Sequence, residues 1–250
     1  MADIFGVRVD ELPSERRLRT TCEAFMAGER ACLVFTPNPE ILLRAREDRS
    51  YAEVLNAADL ALPDGTGVAL IRSLRAGRRV RRWPGVEIGA TLLQLAAERH
   101  AAVAFFGGSD GVAEEAARVW RRRLPGLRIE VVGTGLSVEE DGRLRSAERE
   151  PQLLERIRAA APTIVLVGLG APKQERWIVR HAADFPSARV MMGVGGAFDM
   201  WAGRLPRAPG LLHRLGLEWA WRLALEPHRL RRITRATLVF PFLALTDRSS

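Results

Sequence analysis

The sequence predicts an α/β fold: a mainly parallel, Rossmann-like sheet with helices on both faces, followed by a C-terminal helical appendage. Three observations predict it. Short apolar runs alternate with helical patterns along most of the chain, as in a succession of βαβ units. Several runs are apolar without alternation, as strands covered on both faces require. The runs end in Gly or Pro at the turn into the next segment.

In chain order the expected strands are "IFGVRV" (4–9), "ACLVFT" (31–36), "DLALP" (59–63), "AVAFFGG" (102–108), "RIEVVGTG" (128–135), "TIVLVGLG" (163–170) and "RVMMGVGG" (189–196). Helical patterns lie between them, over 40–57, 87–99, 114–123, 152–160 and 173–183. The rhythm stops after about residue 203, so 1–203 reads as the α/β core and 204–250 as a basic, Trp-bearing appendage.

Composition narrows the function. With 250 residues, 47% hydrophobic and 27% charged, the chain is long enough for a sizeable core. The net charge is +8, yet Lys173 is the only lysine, so the basic charge is almost all arginine. Guanidinium forks suit phosphates, but the arginines are dispersed outside the tail and no nucleic-acid module is visible, so no nucleic-acid partner is expected. Cys22 and Cys32 lack His partners at ligand spacing and make neither a zinc site nor a disulfide framework. The N-terminus carries acids and no apolar stretch of the signal-peptide kind. The longest charge-free run, 159–172, is too short for a bilayer crossing, which needs ~20 residues. The expectation is a cytoplasmic protein that touches a membrane without crossing it. A homo-oligomer is compatible with the sequence.

Ligands of parallel sheets sit at the carboxyl ends of the strands. The turns there are rich in glycine: Gly65, Gly107 and Gly108, Gly168 and Gly170, Gly195 and Gly196. No GxG pair continues to GxGxxG, so the dinucleotide fingerprint is absent, and a nicotinamide-dependent oxidoreductase is the weaker alternative. Backbone N–H groups in such turns can hold a phosphate; tight turns alone account for part of the set. Asp64, in "LPDGTGV", stands where a general base would, though an Asp before Gly also makes a turn by itself. Thr36 and Asn38 lie in "TPNPE", where Asn38 equally reads as a helix cap. Lys173 and Gln174 open the helix after 163–170, and Asp199 follows the last glycine turn. No paired carboxylate of metal-holding type is present, so no metal or other cofactor is expected.

In the tail, Pro227 separates two helices. At ~100° per residue, Leu230, Ile233, Ala236, Thr237 and Phe240 share one arc and Arg231, Arg232 and Arg235 oppose it, with Arg229 on the border. A basic amphipathic helix followed by "TLVFPFLAL" fits a membrane surface, as well as a helix packed on its own domain.

Taken together, "TPNPEI", "ADLALPDGTGV", "PGVE", "FFGGSDGVAEEAA", "GLGAPKQERW", "GVGGAFDMWAG", "RAP" and "GLEWAWRLALEPHRLRR" occur in the order that resembles the WecG/TagA/CpsF glycosyltransferases, family 26, over nearly the whole chain. The resemblance implies an inverting, metal-independent transfer of N-acetylmannosamine, its uronic acid or a related sugar from a UDP-sugar donor to an undecaprenyl-diphosphate-linked glycan acceptor. It implies Asp64 as base, Thr36, Asn38 and Gln174 as polar pocket residues, and Arg222, Arg229 and Arg232 as cationic residues of the appendage. It also implies a tail that meets the bilayer through Phe240 and Phe242. Glu87 stands where the family usually has Asp, and Trp83 where it has a smaller residue; both bear on donor or acceptor preference.

Overall fold

The computed structural model describes residues 3–205 and 234–247. Its centre is a six-stranded, all-parallel sheet. The strands are β3 (Cys32–Phe35), β4 (Leu60–Ala61), β5 (Ala102–Gly107), β6 (Arg128–Val132), β7 (Ile164–Gly168) and β8 (Val190–Gly193), in the order β4-β3-β8-β7-β5-β6. The helices are α1 (Glu15–Met26), α2 (Pro39–Glu47), α3 (Arg49–Asn56), α4 (Thr66–Ala76), α5 (Gly85–Glu98), α6 (Val112–Arg123), α7 (Glu150–Ala159), α8 (Lys173–His181) and α9 (Ala197–Trp201). They cover both faces, and each face has its own core. One gathers Leu42, Tyr51, Phe106, Trp177 and Ile178; the other gathers Leu92, Phe105, Trp120, Phe198 and Trp201. Strands buried on both sides account for the unbroken apolar runs.

Two expected elements differ. "IFGVRV" is a tight antiparallel hairpin, β1 (Asp3–Ile4) against β2 (Val7–Arg8), and not one strand. Phe5 and Gly6 both adopt positive φ, 56° and 75°, which turns the chain back after two residues. The helix expected over 40–57 is two helices. Asp48 interrupts it with extended backbone, and its side chain caps α3 by accepting the Tyr51 N–H at 3.2 Å.

The edge strand β4 is only two residues long. It is held by Asp10, whose carboxylate accepts the Ala61 N–H at 2.8 Å and whose own N–H donates to the Ala61 carbonyl at 2.7 Å. That pairing covers an edge that would otherwise be open.

The described end of the chain returns to the core. Residues Arg235–Val239 form a π-helical turn that leads into α10 (Phe240–Thr246). Pro241 has no N–H for the preceding turn, and a widened turn accommodates it. The arc of Ala236, Thr237 and Phe240 does face inward, but its partner is the protein. Phe240 is 0% exposed, meets Phe5 edge-on at 5.9 Å and lies 3.6 Å from the position a Gly67 Cβ would take. The expectation that Phe240 inserts into a bilayer is therefore corrected; Phe242, 67% exposed, points outward. Arg235 is tied to Glu47 of α2. Arg222, Arg229, Arg231 and Arg232 lie outside the described residues.

Because Phe240 fills a core site and Phe242 does not, their truncations should differ sharply. Phe240→Ala should cost about 3–5 kcal/mol in urea-induced unfolding. Phe242→Ala should change stability by no more than ~0.5 kcal/mol. Equal effects would contradict this packing.

Candidate active site at the carboxyl edge of the sheet

The pairing of β3 and β4 continues past both strands. Leu62 N–H donates to the Phe35 carbonyl at 3.0 Å, and Asp64 N–H to the Pro37 carbonyl at 3.1 Å. This sets the Thr36–Asn38 turn beside the Pro63–Gly65 turn. Gly65 lies so close to Pro39 that a Cβ would meet its ring at 3.3 Å, and its φ of 87° suits glycine. Trp83 braces the same turn: its backbone N–H donates to the Pro63 carbonyl at 2.8 Å and its indole N–H to the Leu12 carbonyl at 3.0 Å. The tryptophan at this position is thus a buried strut one residue before Asp64. Glu87 is half-buried in the first turn of α5. Asp64 is half-buried, at the foot of α4, whose Gly65 N-cap supplies no side chain to the first turn.

Asn38 caps α2, accepting the N–H groups of Glu40 and Ile41 at 3.0 Å each. That oxygen serves the helix, so only its amide nitrogen is left for a ligand. Thr36 is half-buried, and its hydroxyl would lie 3.0 Å from a Cβ at Gly85, the first residue of α5. Thr36, Asn38 and Asp64 are therefore brought together as expected.

Gln174 sits elsewhere than a pocket surface. It is 5% exposed, its amide oxygen accepts the Gly195 N–H at 2.9 Å, and its amide nitrogen donates to Glu175 at 2.7 Å. The glycine turns are correspondingly less open than expected. The N–H groups of Gly108, Gly135 and Gly195 donate to Gly168, to Gly108 and to Gln174, and those three are unavailable to a phosphate. Gly168 also has a packing reason: a Cβ there would lie 2.6 Å from the Phe198 ring. Gly107 packs similarly against Leu169. Gly170 and Gly196 border the same edge, half-buried and exposed respectively. Asp199 is half-buried in the short α9, where its backbone carbonyl accepts from Arg204 and Leu205 and closes the turn.

Between the ends of β5, β6 and β7 lies a cavity of about 310 Å³, lined by Gly108, Ser109, Gly135, Leu136, Gly168 and Lys173, among others. Two helices start at its rim, α6 after Gly111 and α8 after Pro172, neither with a side-chain cap. The Val112 N–H donates to the Ser109 carbonyl and the Gln174 N–H to the Gly170 carbonyl; the other first-turn N–H groups and one ammonium make it the anion-suited part of the edge. A larger cavity of about 500 Å³ lies by the hairpin and the far end of α2, lined by Phe5, Arg46, Arg49 and Asn56, among others. It is lined by Gly6 of the hairpin turn and by Arg49 at the start of α3, a start that Asp48 already caps, and by none of the turns at the carboxyl ends of the six-stranded sheet. The smaller cavity has the chemistry.

Among the described residues, no group of three or more His, Cys, Asp or Glu is placed to hold a metal ion. The glycine turns and Asp64 were visible in sequence because each follows an apolar run. Tyr51 and Glu175, which hold Gln174 in place, were not. The signal available was that Tyr51 is the only tyrosine of the chain.

The chain was compared with known proteins. The model of the Glycosyl transferase WecG/TagA/CpsF family matches residues 2–250. An N-acetylglucosaminyldiphosphoundecaprenol N-acetyl-beta-D-mannosaminyltransferase of Bacillus spizizenii is 34% identical over 209 residues, 84% of this chain and 77% of that protein. A Staphylococcus aureus protein of the same name is 30% identical over 233 residues, 92% and 87% of the two chains. The one-edged site of this parallel sheet and the match along its whole length agree: the chain is a glycosyltransferase of the WecG/TagA/CpsF family.

Proposed function

We propose that the chain transfers N-acetylmannosamine, or a closely related hexose or uronic acid, from a UDP donor to an undecaprenyl-diphosphate-linked saccharide. The sugar class and acceptor follow the names of the Bacillus and Staphylococcus relatives. The observation that carries the reading is the layout of one sheet edge. A carboxylate stands at the end of β4, and a glycine-lined cavity with Lys173 lies at the ends of β5, β6 and β7. Three strand intervals of ~4.8 Å separate β4 from β7, so ~14 Å lies between the base and the anion-suited end. The donor's sugar and diphosphate together, with the acceptor hydroxyl beside the base, fill a span of that order.

The reaction is a single displacement with inversion. Asp64 removes the proton from the acceptor hydroxyl; that oxygen bonds to the anomeric carbon; the bond from carbon to phosphate oxygen breaks, and its electron pair leaves with UDP. One base suffices, and no covalent sugar–enzyme stage is needed. Lys173, the open first turns of α6 and α8, and the tail arginines Arg222, Arg229 and Arg232 offset the charge that develops on the diphosphate. Thr36 and the Asn38 amide nitrogen orient sugar hydroxyls. We infer that this set works without a metal ion and takes no cofactor.

The protein works at the inner face of the cell membrane in this reading. No helix among the described residues is long and apolar enough to cross a membrane. The exposed large hydrophobic side chains of the described residues are Leu70 and Leu74 of α4, and Leu238, Val239, Phe242 and Leu245 at the chain end. The two segments touch: Arg75 of α4 donates to the Ala244 carbonyl at 2.9 Å. Exposed apolar side chains on two touching segments, one of them the helix that begins beside Asp64, support peripheral attachment with the site mouth at the headgroups.

Reconstitution tests the reading. Purified protein in EDTA should join N-acetylmannosamine from its UDP form to a GlcNAc-diphosphate-lipid, read by mass spectrometry. Asp64→Asn should lower turnover ~10²–10⁴-fold with UDP affinity nearly intact. Product only after added Mg²⁺ would remove the metal-free scheme, and a mutant retaining a third of wild-type turnover would remove Asp64 as base.

For the membrane face, Phe242→Glu with Leu245→Glu should weaken binding to vesicles of anionic phospholipid by about tenfold, since burying one such side chain is worth ~1.5–3 kcal/mol. The melting temperature should hold. Unchanged vesicle binding would count against this face.

A further inference from the structure

Glu175 is buried among apolar groups at 2% exposure. Its carboxylate accepts hydrogen bonds from the Tyr51 hydroxyl at 3.0 Å, from the Gln174 amide nitrogen at 2.7 Å and from its own backbone N–H. No arginine or lysine pairs with it among the described residues. The neighbouring Arg176 is engaged by Asp48 at 2.6 Å and lies over the Tyr51 ring, 5.6 Å from its centroid. Burial raises the Glu175 pKa, and the bonds from Gln174, from its own backbone N–H and from Tyr51 oppose that rise. A buried carboxylate without a cation is a costly way to fill a core position. An apolar side chain would fill the space without that cost.

What a carboxylate does there, and an apolar side chain cannot, is accept only. It obliges Gln174 to present its NH₂ group. The amide oxygen of Gln174 is thereby turned to the Gly195 N–H, 2.9 Å away. Space for this arrangement comes from Gly193, where a Cβ would lie 2.7 Å from the Gln174 amide nitrogen. The chain of bonds runs from α3, through the first turn of α8, to the turn after β8. That turn lies between β3, which leads to Thr36, and β7, which leads to the glycines beside Lys173.

We propose that Glu175 and Tyr51 are positioning residues: they fix the direction of the Gln174 amide and so hold the Gly193–Gly196 turn in the geometry that transfer requires. The proposal rests on the transferase reading above, which names neither residue. Because Lys173 and Gln174 are consecutive, the same bonds anchor the helix start that carries the site's ammonium.

The test has a structural and a functional arm. Glu175→Gln keeps the volume but lets the 174 amide face either way. In hydrogen exchange, the Gly195 amide should exchange at least ~10-fold faster in this variant while the melting temperature holds. Turnover should fall about tenfold or more, as small misplacements of reacting groups do, with KM for the acceptor changed less than about twofold. Tyr51→Phe, which keeps the carboxylate and removes one donor, should act in the same direction and more weakly. The exchanged pair Gln174→Glu with Glu175→Gln offers Gly195 an acceptor again, and lets the new 175 amide donate to 174 and accept from Tyr51. It should recover most of the lost turnover and the Gly195 protection. Unchanged Gly195 exchange in Glu175→Gln overturns the proposal, and so does an exchanged pair that recovers nothing. If Glu175→Gln does not fold, Tyr51→Phe and the exchanged pair decide. A wild-type protein that transfers no sugar would refute the transferase reading while leaving the exchange arm to judge the positioning claim.

Discussion

A parallel sheet has to send every connection back across one of its faces, so every strand opens into a helix on the same edge. In this chain that constraint does most of the assembly. The turns after β3, β4, β5, β7 and β8 lead into α2, α4, α6, α8 and α9. Asp64, Asn38, Lys173 and Gly195 are far apart in sequence and share an edge because the strands that lead to them are parallel. The short β4 is the weakest member. Asp10 on its outer side and Trp83 beneath Pro63 keep it in register.

The glycines of this edge answer two demands together. Some are required by packing: Phe198 presses against Gly168, and the Gln174 amide against Gly193. Others have open space beside them, as at Gly170, where nothing lies within 4 Å of the position a Cβ would take. Three of the N–H groups that a reading of the turns alone would offer to a phosphate are bonded inside the loops. In the proposed scheme the anion-facing role then falls to Lys173 and the helix starts beside it. Ser14, Asn38 and Asp48 cap α1, α2 and α3, whereas α4, α5, α7 and α9 start without a side-chain cap as α6 and α8 do, so what singles out α6 and α8 is their place beside the Lys173 cavity and not the missing cap.

Much of this was legible in the sequence, for physical reasons. Apolar runs mark strands because both sheet faces are buried, and Gly or Pro marks their ends because the chain turns sharply there. The hairpin at Phe5–Gly6 was misread because six residues of mixed apolar character look like a strand whether or not the middle reverses. The amphipathic arc through Phe240 was read as a face for the membrane, because periodicity marks an apolar face without saying what covers it; at Phe240 Phe5 and Gly67 do. The bond between Tyr51 and Glu175 spans 124 residues. No local pattern announces a contact that depends on two helices packing on the same side of a sheet.

The tail and the core also meet. Phe240 sits against Gly67, in the first turn of the helix that follows Asp64, and Ala244 receives Arg75 of the same helix. Asp64 and the outer apolar face are therefore parts of one packed unit. The proposed scheme places the donor at the opposite end of the edge, and hydrogen-exchange footprinting with UDP tests this most directly. The account predicts protection in the segments 107–111, 133–137 and 168–174, which line the cavity of about 310 Å³, and none around Arg46, Arg49 and Asn56. Protection at the larger cavity by the hairpin, with the glycine turns unaffected, would contradict it.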